Sequence, residues 1–288
     1  MDRIFLSGYV IWFFIFSVIG WIFETVYCSI KDGFYQNRGF LYGPVCPIYG
    51  LGALLAIIIA DVVYCHGYYD RFSAWQIFVI GYVFSAILEY SAHYLLEKKF
   101  HATWWDYSDM PLNLHGRICV PASTLFGLSY MGIFKFVYPM VLGMRNGLAP
   151  QIQEAVAMIC VVILAVDTTL TVTTLKSFEQ EMVSMDEVVN TNMIALTKLL
   201  KEKRSGEDIN VTEGVEKTRA QMAADMARRI AANMSSFRVS ALNRIKKYSY
   251  PKFLNIRIET LRKEIMARNP FLNGRKKQHE GQDKKKED

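Results

Sequence analysis

Residues 4–23, IFLSGYVIWFFIFSVIGWIF, are twenty consecutive uncharged positions, most of them apolar or aromatic. Wound as an α-helix at about 1.5 Å per residue, such a run covers the roughly 30 Å hydrocarbon core of a bilayer. In lipid the backbone has no water to bond, and a helix satisfies its peptide groups internally. The stretch is too long for the apolar centre of a secretory signal. It lacks a small-x-small cleavage site and carries only Arg3 against Asp2 ahead of it, so it reads as a retained transmembrane helix.

Four further stretches share this character. The segment between Arg38 and Asp61 is uncharged and ends in the strongly apolar Leu51 to Ala60, Phe72 to Leu88 and Ile118 to Phe134 are uncharged, and Ala155 to Leu175 is interrupted only by Asp167. About five spans are expected, in an all-α polytopic membrane bundle with a cytoplasmic helical or coiled-coil tail. Composition agrees: 52% hydrophobic residues and a mean hydropathy of +0.14 over 288 residues disfavour a purely soluble protein. The expected division is a transmembrane domain over 1–178, a helical tail over 179–274 and a disordered charged terminus over 275–288. Residues 1–178 carry ten Lys/Arg against eleven Asp/Glu, and 179–288 carry twenty-three against sixteen. A basic half behind an apolar half points to an untranslocated tail rather than to a nucleic-acid binder.

Lys and Arg in the short connections give the sidedness. With five spans and a cytoplasmic tail, the outer segments hold one basic residue each, Arg3, Arg71 and Arg145. The inner connections hold Lys31 and Arg38, then Lys98, Lys99 and Arg117. Every inner segment is the richer, as the positive-inside rule requires, which places the N-terminus outside.

The five cysteines are scattered and form no CxxC pair or Cys/His quartet, so no zinc or redox motif is read and no metal is expected. Ionisable residues inside spans are costly and point to function by default. Glu24 and Glu89 fall near the cytoplasmic ends of two outside-to-inside helices, at similar depth. Asp167 lies close to mid-membrane, beside Thr168 and Thr169, whose hydroxyls can bond across a bundle. Asp61 and Lys135 are nearer helix ends and are expected to snorkel.

The two inner connections are the chemically rich ones. The first runs Asn37-Arg38-Gly39-Phe40-Leu41-Tyr42-Gly43-Pro44-Val45-Cys46-Pro47-Ile48-Tyr49-Gly50, and its three glycines and two prolines disfavour an uninterrupted helix. The other contains Trp104-Trp105-Asp106-Tyr107 and Asn113-Leu114-His115-Gly116-Arg117-Ile118-Cys119, readable as an interfacial belt or as a pocket in which Asp106 orients Arg117 or a bound cation. Glu24 then Phe34, and Glu89 then Phe100, each lead to an Arg-Gly or Gly-Arg step and then Cys and Pro. This weak echo suggests two helix-loop-helix units repeated in the same orientation.

These motifs, from Gly20-Trp21-Ile22-Phe23-Glu24-Thr25 through Glu89-Tyr90 to Gly116-Arg117-Ile118-Cys119, resemble the bacterial ABC-transporter permease family known as CmpB-like or type IV. The resemblance covers about residues 5 to 175. It implies a multi-pass protein of the bacterial cytoplasmic membrane, and it supplies no catalytic residue, substrate or cofactor. A permease reading needs an ATP-binding subunit on another chain, since this sequence has no GxxxxGK[ST] loop.

In the tail, Met182, Met185, Val189, Asn192, Leu196 and Leu199 recur every three or four residues, like a coiled-coil seam. Ser205-Gly206-Glu207-Asp208 breaks the pattern, and a second helix is expected from near Thr212 through Phe237, giving a hairpin or an oligomerising stalk. Lys246-Lys247-Tyr248-Ser249-Tyr250-Pro251-Lys252 suits anionic lipid or a cytosolic partner.

Three functions remain open at this point. The leading one is a transporter-like membrane component whose inner polar site is lined by Glu24, Arg38, Glu89, Asp106, Asn113 and Arg117 and walled by Tyr42, Trp104, Trp105 and Tyr107. The second is a scaffold recruiting partners, or a second copy, through its tail. The third is an enzyme on a lipid-linked substrate, with Glu24 or Glu89 as acid/base and Arg38 or Arg117 holding an anion; no nucleophile-base pair supports it, and no catalytic residue is assigned.

Overall fold

In the computed structural model, residues 6–33, 35, 37–144 and 149–203 are described, with scattered positions between 218 and 248. The expected break at 205–208, most of the second tail helix and the charged terminus lie outside the described residues. Helices dominate: α1 (Leu6–Asp32), α2 (Pro47–Cys65), α3 (Ala74–Phe100), α4 (Val120–Gly132), a π-helical turn (Ile133–Val137), α5 (Tyr138–Met144) and α6 (Pro150–Lys203). The strands β1 (Ala102–Thr103), β2 (Asn113–Leu114), β3 (Ile118–Cys119) and β4 (Lys247–Tyr248) have two residues each. Five stretches are long and apolar enough to cross a membrane: Leu6–Lys31, Pro47–Cys65, Ala74–Phe100, Val120–Gly143 and Pro150–Glu181.

The chain divides into two compact units, residues 1–172 with 244–247, and residues 173–243 with 248–288. Of the second, the structure describes the later part of α6, to Lys203, and scattered positions beyond it.

The helices outrun their apolar cores in sequence. The third apolar run stops at Leu88, yet α3 continues to Phe100, so Glu89 lies inside the helix. Glu89 and His93 are both buried, so they face protein and the helix has no reason to stop at the first charge. Its ends are well specified. Ser73 Oγ accepts from Gln76 N while Gln76 Oε1 accepts from Ser73 N, a full capping box, and Lys98 and Lys99 occupy the last turn where the helix dipole favours cations. Pro47 opens α2 in the first turn, where no intrahelical N–H is lost.

α1 packs on α2, and α3 on α4, through glycines that meet large side chains. A Cβ on Gly20 would run into Tyr49 Cβ, and one on Gly50 would lie 2.5 Å from Phe13 O. Across the second hairpin, Gly81 faces Tyr130 in the same way and Gly127 faces Phe78. Both hairpins thus pack through close approach at glycines, against aromatic rings at Gly20, Gly81 and Gly127 and against Ser17 and the Phe13 backbone at Gly50, the packing that replaces a hydrophobic driving force inside lipid.

At the end of the bundle opposite the long loops, Ile57, Ala60, Ile77, Phe134, Tyr138 and Val141 form an apolar core. Asp61 belongs to it. Expected to snorkel, Asp61 is instead buried at 7% exposure and accepts hydrogen bonds from Tyr9 Oη and Tyr138 Oη, both at 2.9 Å. Two phenols replace the water it was expected to reach. Lys135 sits in the π-helical turn above the Tyr69 ring, and the Tyr69 hydroxyl donates to the Phe134 carbonyl there. A π turn displaces carbonyls from their usual helical partners, and here a side chain from the α2–α3 connection supplies one.

Candidate functional site

The first loop, residues 33–46, joins α1 to α2, and the second, residues 101–119, joins α3 to α4; they meet at one end of the bundle. Arg38 Nη1 donates to the Trp104 carbonyl at 3.5 Å, and the Phe40 ring packs against Phe100 and Trp104 with centroids 5.5 and 5.2 Å away. Trp21 Nε1 on α1 donates to Asn37 Oδ1 at 2.7 Å, and Arg38 N donates to Thr25 Oγ1 at 3.5 Å, so the first loop is also pinned to its own helix.

Two carboxylates lie beneath these loops. Glu24 on α1 accepts from the Tyr49 hydroxyl on α2 and from Cys28 Sγ, one helical turn on, at 3.6 Å. Glu89 on α3 is 5% exposed and accepts at Oε1 from the Tyr107 hydroxyl of the second loop at 2.8 Å. Its other oxygen, Oε2, is buried without a hydrogen-bond partner. Burial, and then the adjoining Glu89 carboxylate, push the Tyr107 hydroxyl far above its ordinary value, and Glu24 acts in the same direction. Both carboxylates therefore bear on one phenol, which stays a donor at any physiological pH. Among the described residues neither forms an ion pair with Lys or Arg; the donors they have are neutral.

His93, one turn beyond Glu89, is also 5% exposed, and neither of its ring nitrogens has a hydrogen-bond partner. The Trp105 ring lies 5.3 Å from it, and Trp105 Nε1 donates to the Arg117 carbonyl at 3.1 Å. Arg117 itself differs from expectation. It pairs with Glu97 at 3.0 Å, donates to Tyr90 Oη at 2.8 Å and lies over the Tyr90 and Tyr94 rings, whereas Asp106 accepts from Ser108 N and Oγ in a local turn. The second loop turns back on itself between those two residues: Asn113 Nδ2 bonds the Ser108 and Met110 carbonyls, β2 pairs antiparallel with β3, and Gly116 at φ +67° leaves no room for a Cβ against Ser108 and Asp106. Asn113 is exposed and shapes this turn; it does not line the carboxylate centre.

Asp167 does reach the loops. Its Oδ1 accepts from Tyr42 N and its Oδ2 from Gly43 N, each at 3.0 Å, while Thr171 Oγ1 also accepts from Tyr42 N at 3.2 Å. Thr168 faces outward, and Thr171 takes the role expected of it, because four residues rather than one bring a side chain back to the same helix face. Arg244 completes this corner. Nearly buried, it donates from Nη2 to the Tyr42 carbonyl at 2.7 Å and stacks over the Tyr42 ring; burial pulls its guanidinium below the ordinary value, against the pull of Tyr42 and Asp167.

The family model described as Putative ABC-transporter type IV matches residues 11–172. That is more than half of the chain. The chain belongs to this family. The matched region ends where the first compact unit's continuous segment ends, at Val172, and takes in every residue of the carboxylate centre. No curated protein and no solved structure matches the chain. Membership in the type IV family together with five membrane-length helices makes this a transporter-like membrane component. Among the described residues no group of three or more His, Cys, Asp and Glu side chains is placed to hold a metal.

The centre gathers Glu24, Glu89, Tyr107 and, at its rim, Arg38 and Trp104. Arg117 with Glu97, and Tyr42 with Asp167, form two flanking clusters. Tyr49, Cys28, His93, Glu97, Thr171 and Arg244 were not singled out from sequence. Tyr49 stood in the quoted motif, and only the start of α2 at Pro47 shows that it faces α1; Arg244 carried no local signal.

Proposed function

We propose that the chain is the membrane-spanning part of a transporter whose substrate-facing centre is the Glu24–Glu89 pair, opening toward the cytoplasm. One observation supports this most directly: two carboxylates from different hairpins are held under two interlocked loops by neutral donors, and one buried carboxylate oxygen is left without a hydrogen bond. A buried charge without a countercharge is expensive and is retained where something else comes to bind it. The tyrosines and Trp104 give the centre apolar walls with few, fixed polar contacts, as ligand sites have.

The cytoplasmic assignment rests on charge. The loop-bearing end carries Lys31, Arg38, Lys98, Lys99 and Arg117, while the opposite end carries Arg71 in its α2–α3 connection and Lys135 in the π-helical turn. Arg244, from the basic tail, packs on the first loop, so that part of the tail lies on the loop side. Energy would come from an ATP-binding subunit on a separate chain, and the exposed loop tip around Met110, Leu112 and Leu114 is available to it.

The test is purification of the full-length protein from its native membrane, followed by ATP turnover of the complex in proteoliposomes. A nucleotide-binding subunit should accompany the chain, and Glu24→Gln and Glu89→Gln, with thermal stability retained, should each lower turnover at least tenfold. A chain that purifies without such a subunit, or two variants with wild-type turnover, would overturn the proposal.

A further inference from the structure

Along α3 the residues four apart are Gly81, Ser85, Glu89, His93 and Glu97. Side chains at that spacing share one helix face, with Cβ atoms about 5–6 Å apart. Ser85, Glu89 and His93 are buried at 6%, 5% and 5% exposure, whereas the Glu97 side chain is 31% exposed and paired with Arg117. The polar line therefore starts at the loop-bearing surface and ends inside the bundle. Three of its acceptor or donor positions are unused: Glu89 Oε2 and both ring nitrogens of His93, all buried and all without a hydrogen-bond partner.

Uncompensated polar atoms at this depth are costly, and more so when charged. Two lone residues would be a curiosity. Two in succession on one face, leading inward from a half-buried carboxylate, form the kind of Glu/His chain that carries protons in membrane proteins. We propose that Glu97, His93 and Glu89 make a proton pathway from the loop-bearing surface and that Glu89 Oε2 is the proton-binding site at its end.

The step balances simply. Glu97 takes a proton from a hydronium ion at the surface, releasing water; its O–H bond then breaks as an N–H bond forms on one ring nitrogen of His93, leaving the Glu97 carboxylate and an imidazolium. An N–H bond of that imidazolium breaks as the O–H bond forms at Glu89 Oε2, which leaves neutral imidazole and a carboxylic acid. The groups facing this line favour the outcome. From α1 comes Glu24, and from the second loop come Asp106, Tyr107 and Arg117. Glu24 and Asp106 attract a proton; Arg117, held by Glu97, keeps the entrance from trapping it. Tyr107 remains a donor to Oε1 throughout, so Oε2 is the oxygen left for the proton. Because proton binding cancels the buried charge, it would set whether a cationic or a neutral group is accepted beside Glu24.

This inference rests on the centre proposed above but is tested without any transported substrate. Full-length protein in lipid nanodiscs is followed by infrared spectroscopy at the C=O stretch of a protonated carboxylic acid, stepping the pH between about 5 and 9. Wild type should show a band that disappears as pH rises, and Glu89→Gln should lack it. Glu24→Gln should keep the band with its midpoint moved to lower pH, because a neighbouring negative charge has gone. His93→Gln should reach the same end point at least tenfold more slowly after a pH jump. No titrating band in wild type, a band surviving in Glu89→Gln, an unmoved midpoint in Glu24→Gln, or unchanged exchange in His93→Gln would each overturn the pathway. If Glu89→Gln does not fold, the Glu24→Gln midpoint and the His93→Gln rate still decide. An intact Glu89 band with no ATP-driven turnover removes the transporter reading alone, and turnover without the band removes the proton pathway alone.

Discussion

Asp167 is one charge in an otherwise apolar stretch, and what justifies it is backbone rather than another side chain. It holds the peptide N–H groups of Tyr42 and Gly43, and hydrogen bonds to a charged partner contribute about 1.5–3 kcal/mol each. Asp167→Ala strands both donors and should loosen the first loop, lowering the detergent-solubilised melting temperature by several degrees. Cys46, buried at the foot of that loop, reports the opening. Its thiol is pushed up to about 12, first by burial and then by Glu24, from an ordinary 9.0. The raised value means that stability from burying the neutral thiol is complete below pH 9 and is lost as pH climbs toward 12. At pH 8 the thiolate is roughly a thousandfold scarcer than in an unperturbed cysteine. Alkylation of Cys46, followed by mass spectrometry of its peptide, should be correspondingly slow in wild type and at least tenfold faster in Asp167→Ala. Equal rates in the two proteins would mean that Asp167 does not hold the loop.

Elements show where sequence was readable and where it was not. Apolar runs place all five spans, because hydrocarbon sets both length and composition. The same runs stop short of the end of α3 and do not show the setting of Asp61, since a charge ends an apolar run but not a helix when protein lies on its far side. The carboxylates Glu24, Glu89 and Asp167 were legible for the same reason that they are unusual, whereas their partners Tyr49 and Thr171 are ordinary residues in membrane helices and depend on which faces meet. Helix pairing is testable through α2. Gly50→Ala would drive a Cβ to 2.5 Å from the Phe13 carbonyl, a backbone atom that cannot rotate away, and should cost about 1–3 kcal/mol. Gly52→Ala in the same helix meets Leu88 Cδ2 at an ordinary 3.7 Å and should be neutral or slightly stabilising. Thermal denaturation in detergent separates them; similar losses in both would show that helix composition rather than close approach matters. At the opposite end, Asp61→Ala leaves the Tyr9 and Tyr138 hydroxyls without their acceptor and should destabilise by several kcal/mol, whereas Asp61→Asn should recover part of that loss because its amide oxygen can still accept.

The whole molecule has a direction that follows from its parity. Each hairpin leaves and returns to one side, so α1–α2 and α3–α4 put their long loops at the same end, and the contact of Arg38 with Trp104 requires it. The short α2–α3 connection must then lie across the bilayer from them. Cys65 marks that far end and is partly exposed, while Met110, 41% exposed at the tip of the second loop, marks the near one. With the basic residues concentrated at the loop end, the proposed orientation puts the loops inside and Cys65 outside. A membrane-impermeant thiol reagent applied to spheroplasts should modify Cys65 and spare an introduced Met110→Cys, and inverted vesicles should give the reverse. Modification of both from one side would break the five-span arrangement, since α3 alone separates them in the chain. The opposite pattern would keep the bundle but turn the carboxylate centre outward, and with it the entrance at Glu97, so that protons and substrate would reach Glu89 from outside the cell.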